Sequence, residues 1–169
     1  YLILSKVDES IEIKNKKYDL YSNICNDYIS DGYKYQEEFE KEYIPIFTYK
    51  VEEITIKKLI CMEYDKNTVC ILYTIENNGP KAKLTLTPIM NFRDFHAMNT
   101  DHEFQLKQEI KDRKVEIEID KNSNNPVYMY ISEGEYTEHF NDTFRRMHYI
   151  EEEKRGFYPE ENHAVPRKF

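Results

Sequence analysis

Two short clusters hold most of the side chains able to do chemistry. Arg93-Asp94-Phe95-His96 sets a guanidinium, a carboxylate and an imidazole within four residues. On a strand, positions two apart share a face, so Asp94 and His96 would meet a common partner. Arg and Asp are strong, directional partners for sugar hydroxyls. The structural alternative is an Arg93–Asp94 ion pair at a strand end, with His96 as a satisfied neighbour. The second cluster runs from Tyr149 through Glu152 to Arg155-Gly156, with Glu160-Glu161 behind it. Paired carboxylates suit glycoside hydrolysis, which needs an acid and a base or nucleophile across one bond. In a chain with 32 Asp and Glu, adjacency does not supply that geometry. This run therefore reads as a solvated or interface loop, with Gly156 at a helix C-cap or a left-handed position, and no catalytic residue is assigned.

Other chemistries find no footing. Asp94, His96 and His102 lack a definite metal-ligand spacing, so neither a metal nor a cofactor is expected. No Ser-His-Asp, Cys-His or phosphate-loop pattern occurs, and four glycines are too few for a nucleotide cradle. The 15 Tyr and 9 Phe could stack on sugar rings, but most tyrosines stand at strand spacing and there is no Trp.

The elements that must position these clusters are strands. Val115-Glu-Ile117-Glu-Ile119 alternates apolar with polar, as does Lys83-Leu84-Thr-Leu86-Thr. Val69, Ile71, Tyr73 and Ile75 fall on one face, and Tyr128 and Tyr130 interleave with Val127, Met129 and Ile131. Such half-buried strands belong in antiparallel sheets. Turn signals at Asn77-Asn-Gly-Pro80, Tyr64-Asp-Lys-Asn67, Lys121 to Pro126 and Ser132-Glu-Gly134 separate them. Thr48 to Tyr64 reads as two strands through a tight bend, and a helical period is weakly present only over about 141–154. The spacing predicts an all-β fold, a large antiparallel β-sandwich with strands over 68–76, 82–88, 113–120 and 127–132 and helix below about 15 per cent.

At 169 residues the chain is one domain by length and buries roughly two thirds of its unfolded surface. Its 24 basic against 32 acidic residues give a net charge of −8. No Lys/Arg block tracks phosphates, so nucleic acid and anionic membranes are not expected partners. Apolar runs such as Leu59-Ile-Cys-Met62 are too short to span a bilayer. Cys25, Cys61 and Cys70 match no metal motif, and Cys61 and Cys70, in apolar runs, read as reduced core residues of a cytoplasmic protein. Asn141-Asp-Thr143 matches a glycosylation acceptor but is discounted without a secretory signal. The opening on Tyr1 places the natural start upstream.

Several of these residues, in order, resemble a known family. They are Leu4-Ser-Lys6-Val-Asp-Glu9, Tyr64 with Asn67-Thr68-Val69, Arg93-Asp94-x-His96, Tyr149-x-x-Glu152-x-x-Arg155-Gly156, Glu160-Glu161, Pro166 and Phe169. The pattern is similar to the N-terminal domain of bacterial and archaeal glycogen debranching enzymes of the amylo-alpha-1,6-glucosidase type, across nearly the whole chain. Two positions depart from it: the family has Glu-Asp at Glu160-Glu161 and Pro-Gly at Pro166-Arg167, and Arg167 cannot freely take a positive φ as Gly can. The resemblance implies a supersandwich-like domain, here 1–169, ahead of an (α/α)-barrel that carries the glycosidase carboxylates. It further implies α-glucan branch points (glycogen, limit dextrin) as substrate and the catalytic domain of the same chain as partner.

Three functions compete: an accessory domain that docks on the barrel and shapes its cleft, a stand-alone α-glucan-binding module, and a self-sufficient hydrolase. The first is preferred, and the fragment alone is expected to be inactive. Substrate or domain-interface candidates are Arg93, Asp94, His96, Tyr149, Glu152, Arg155, Glu160 and Glu161. They are expected on one edge of the sandwich, in loosely held loops from which Arg93 or Arg155 could be removed with little effect on melting.

Overall fold

The computed structural model describes residues 1–25, 28–94, 96–100, 103–119, 125–137 and 142–169. The chain is all-β, 59% strand and 6% helix. Among the described residues the strands are β1 (Leu2–Ile13), β2 (Lys16–Asp19), β3 (Ile24–Cys25), β4 (Tyr28–Ile29), β5 (Gln36–Lys41), β6 (Pro45–Val51) and β7 (Ile54–Met62). They continue as β8 (Val69–Asn77), β9 (Ala82–Arg93), β10 (Leu106–Lys111), β11 (Lys114–Ile119), β12 (Val127–Tyr130), β13 (Asp142–His148) and β14 (Glu160–Val165). A 3-10 turn spans Gly32–Tyr35 ahead of β5, and one short α-helix, α1 (Ile150–Lys154), lies between β13 and β14. Every strand pair with a defined register is antiparallel.

The strands form two compact units, to both of which β1 and β9 contribute residues. One unit comprises Tyr1–Glu9, Asn23–Ser30 and Thr85–Phe169. Its larger sheet runs in the order β1-β9-β14-β13-β3-β4, and β10-β11-β12 form a second sheet. Alternation decides how these layers meet. Val115, Ile117 and Ile119 from β11 and Leu106 from β10 are buried against Met90 of β9 and Ala164 of β14. Each fully buried aliphatic side chain contributes about 1.5–3 kcal/mol. At the chain end, Phe169 exchanges backbone hydrogen bonds with Leu86 of β9 and meets the ring of Tyr136 edge-on at 5.5 Å.

The other unit comprises Ser10–Ser22 and Asp31–Leu84, with a four-stranded sheet in the order β5-β6-β7-β8. Ile11 and Ile13 of β1 and Tyr18 of β2 pack with Tyr49, Val51, Ile54 and Ile56 of β6 and β7. Lys14 and Asn15 both take positive φ in the two-residue turn joining β1 to β2, the conformation whose twist suits a tight hairpin. The expected bend within Thr48 to Tyr64 is the β6–β7 turn, where Glu52 has φ 52°.

Three expectations need correction. The weak helical period does not make a long helix: Asp142–His148 is a strand paired with β14, and within that stretch helix is confined to Ile150–Lys154. The pairing of β13 with β14 overrides a marginal local preference. The terminal run is not a loop throughout, because Glu160–Val165 is a buried strand. Cys61 and Cys70 are exposed, not core; they face each other across β7 and β8, and the neighbouring Met62 and Val69 are exposed as well, so neither face of the hairpin is covered at that end. The Lys121 to Pro126 turn falls mostly outside the described residues, as do Asn141 and His102.

Candidate functional site

The site is built where β9 ends, where β14 begins, and on the α1 turn between β13 and β14. Arg93 is the last residue of β9 and Glu161 the second of β14. The Arg93 guanidinium donates through Nε to Glu161 Oε1 and through Nη2 to Glu161 Oε2 at 3.3 Å. The Glu161 side chain is fully buried and that of Arg93 is 11% exposed. Glu161 also accepts the Asn99 backbone N–H at 3.2 Å and the Tyr149 hydroxyl at 3.1 Å. Four donors thus converge on one carboxyl, which is how a buried charge becomes tolerable.

His163 completes this core. It lies two residues along β14 from Glu161 and so on the same face, with its Nε2 3.1 Å from the Tyr149 hydroxyl and 3.5 Å from Glu161 Oε2. Among the described residues its Nδ1 has no hydrogen-bond partner. A neutral ring protonated at Nε2 fits both observations, since it donates towards Tyr149 and leaves only a lone pair unsatisfied. Burial lowers the imidazole pKa to about 4, with Glu161 opposing the shift and Arg93 and Lys6 reinforcing it. Burial, and then the Glu161 charge, push the Tyr149 hydroxyl well above its ordinary range. Tyr149 therefore serves as a proton donor in a hydrogen bond and not as a phenolate.

Asparagines tie the surrounding backbone together. Asn99 Nδ2 donates to Asn91 Oδ1. Asn162 accepts the Arg146 N–H at 2.9 Å and donates to the Thr100 carbonyl at 2.9 Å. Asp94 and His96 do not share a strand face, because β9 stops at Arg93. Instead the Asp94 carboxylate accepts the His96 backbone N–H at 3.0 Å, a local turn, and the Asp94 carbonyl accepts from Arg93 Nη1 at 3.0 Å.

Above the buried pair lies an open groove of about 750 Å³, lined among others by Arg93, His96, Glu152, Arg155, Phe157 and Tyr158. Helix α1 closes in a glycine turn: the Phe157 N–H reaches the Glu152 carbonyl at 3.0 Å and the Gly156 N–H reaches that of Glu153 at 2.9 Å, with Gly156 at φ 78°. This double bond pattern ends helices at a left-handed residue. It turns the rings of Phe157 and Tyr158 out, both more than half exposed. Arg155 pairs with Glu152 at 3.1 Å in solvent and lies 5.4 Å from the Phe157 ring centre.

The candidates thus divide by role. Arg93, Tyr149 and Glu161 form the buried base, with Arg93 and Tyr149 also reaching the groove wall. His96, Glu152 and Arg155 line the groove, and Asp94 shapes the turn that carries His96. Arg93 and Glu161 are therefore well-anchored groups, not loosely held loop charges. Glu160 is bound to Arg146 at 3.1 Å and to the Tyr158 hydroxyl at 3.3 Å. As neighbours on a strand, Glu160 and Glu161 point to opposite faces and cannot flank one bond. His163, Asn99 and Asn162 were missed; only the alternation of β14, putting His163 on the Glu161 face, could have flagged the first. Among the described residues no three His, Cys, Asp or Glu side chains gather as a metal site, and no helix is long and apolar enough to cross a membrane. Arg167 does not take a positive φ; it donates to the Thr137 carbonyl at 2.9 Å and, through its backbone, to Gln108 at 3.2 Å, so this chain has no need of glycine there.

The family model described as "Glycogen debranching enzyme N terminal" matches residues 1–169. Comparison with curated proteins and with solved structures gave no match.

Proposed function

The chain belongs to the glycogen debranching enzyme N-terminal family, and from that premise we propose that it is the accessory domain of such an enzyme. In this reading the groove face docks on the catalytic domain and shapes the cleft that receives an α-glucan branch point, in a cytoplasmic enzyme. The observation that carries it is the Arg93–Glu161–Tyr149–His163 core beneath an exposed rim of Glu152, Arg155, Phe157 and Tyr158. A rigid, buried polar base supports a surface whose aromatic and charged groups are out of proportion to what a solvated loop needs. When a neighbouring domain excludes water, the Glu152–Arg155 pair keeps each charge matched, and exposed aromatic rings supply contact area.

The chain alone hydrolyses neither α-1,6 nor α-1,4 glucosidic bonds. Glu161 is enclosed and fully engaged, and Glu160 faces away from it, so neither is an acid or nucleophile across a shared bond. Incubation of the pure chain with a limit dextrin tests this: no glucose is expected, and release abolished by a single Glu→Gln change would overturn it. The docking reading is tested in the full-length enzyme. Arg155→Ala should lower kcat/KM on limit dextrin while the isolated variant chain melts as the parent does; unchanged kinetics would contradict it. A stand-alone α-glucan-binding module is the second reading, favoured by the outward rings of Phe157 and Tyr158. Saturable binding of malto-oligosaccharide by the isolated chain, lost in Phe157→Ala, would select it.

A further inference from the structure

Cys61 on β7 and Cys70 on β8 stand directly opposite each other in the antiparallel register of the hairpin. Both are exposed free thiols, so a small reagent in solvent can reach either. The ladder fixes which kind of pair they are. The Glu63 N–H bonds to the Thr68 carbonyl at 3.0 Å and the Asn78 N–H to the Glu53 carbonyl at 3.1 Å. Narrow, hydrogen-bonded pairs recur every second residue, and Cys61–Cys70 falls in that series between them. In such a pair the Cα atoms lie about 5.5 Å apart, inside the range a disulfide spans. The thiols also sense each other: the Cys61 thiol is pushed up, first by desolvation on the strand and then by the charge and hydrogen bond of Cys70.

We propose that Cys61 and Cys70 are a reversible cross-strand thiol pair, closed to a disulfide by exchange with a low-molecular-weight disulfide such as oxidised glutathione. One cysteine thiolate attacks a sulfur of the reagent and expels the first small thiolate, leaving a mixed disulfide on the protein. The facing cysteine attacks the protein sulfur of that mixed disulfide and expels the second. Two protein thiols and one small disulfide become one protein disulfide and two small thiols, and the two thiol protons pass to the leaving thiolates. Side chains of a hydrogen-bonded pair diverge more than those of the neighbouring non-hydrogen-bonded pairs, so the bond forms under strain and opens again in a reducing buffer. The hairpin carries it at a sheet edge: β8 pairs with β7 and ends its sheet. Closure staples the tip of that edge strand.

The test equilibrates the whole chain across graded ratios of reduced to oxidised glutathione, quenches with an alkylating reagent, and reads the intact mass and the digest. In oxidised buffer the expected product loses two alkylation sites and about two mass units of hydrogen, with one peptide pair joining Cys61 to Cys70 and Cys25 still alkylated. Return to reduced buffer should restore all three sites. In Cys61→Ser the reaction should stall with one glutathione held on Cys70. Stable glutathione adducts on both cysteines of the parent chain, alkylation of both at every ratio, or disulfide-linked dimers in place of the internal bond would each overturn the proposal.

Discussion

Arg93 clamps both carboxyl oxygens of Glu161, 68 residues away in sequence, and this contact joins the end of β9 to the start of β14 beneath the groove. The pair is buried, so its two halves are unequal to any isolated charge. Removing either leaves a charge without its match in a low-dielectric site.

Arg93→Ala should therefore destabilise the chain by about 3–5 kcal/mol, seen as a lower midpoint in urea or heat. Glu161→Gln keeps the shape and some acceptors and should cost less. A midpoint for Arg93→Ala within error of the parent would contradict the enclosed position of Glu161.

Arg155 gives the opposite expectation. Its partner Glu152 is reached in solvent, where an exposed pair contributes about 0–1 kcal/mol. Arg155→Ala should leave the melting temperature of the chain nearly unchanged, and the contrast with Arg93→Ala in one thermal scan checks both assignments.

His163 sets a pH dependence. Its folded pKa of about 4 lies below the ordinary value near 6.5, so the unfolded chain binds the proton more readily. Stability is fully present above about pH 6.5 and is lost as pH falls towards 4. The loss from this group reaches about 3 kcal/mol. Denaturant titrations between pH 7 and pH 4 should show that slope, and His163→Gln should flatten it; an unchanged slope in the variant would place its source elsewhere.

Gly156 holds the left-handed turn at φ 78°, and among the described residues nothing crowds the place where a Cβ would go. Gly156→Ala should cost about 1–2 kcal/mol from backbone conformation alone, measurable as a shifted urea midpoint, with Gly156→Asn milder.

Several strands were legible because period-2 alternation is a local signal: β11 and β9 lie where Val115 to Ile119 and Lys83 to Thr87 put them, whereas β13 and β14 read as a helical period and a loop. A bend within Thr48 to Tyr64 and the left-handed position of Gly156 were legible from local signals too. The site was only partly so. Tyr149, Glu161 and Arg93 stood out as chemical types, but burial of Glu161 depends on strand pairing from residues far off in sequence. His163 carries no signal beyond its alternation with Glu161. Cys61 and Cys70 mislead because apolar neighbours mark a strand without saying whether anything covers it, and here Met62 and Val69 beside them are exposed too. The family pattern in Tyr149, Glu152, Arg155 and Gly156 supplied what composition could not.

Backbone hydrogen exchange over residues 149–158 and 93–100, compared between the isolated chain and the full-length enzyme, tests the docking account most directly. It predicts that these amides gain protection in the full-length enzyme without any glucan present. Protection that is the same in both proteins, or that rises only when malto-oligosaccharide is added to the isolated chain, would contradict it.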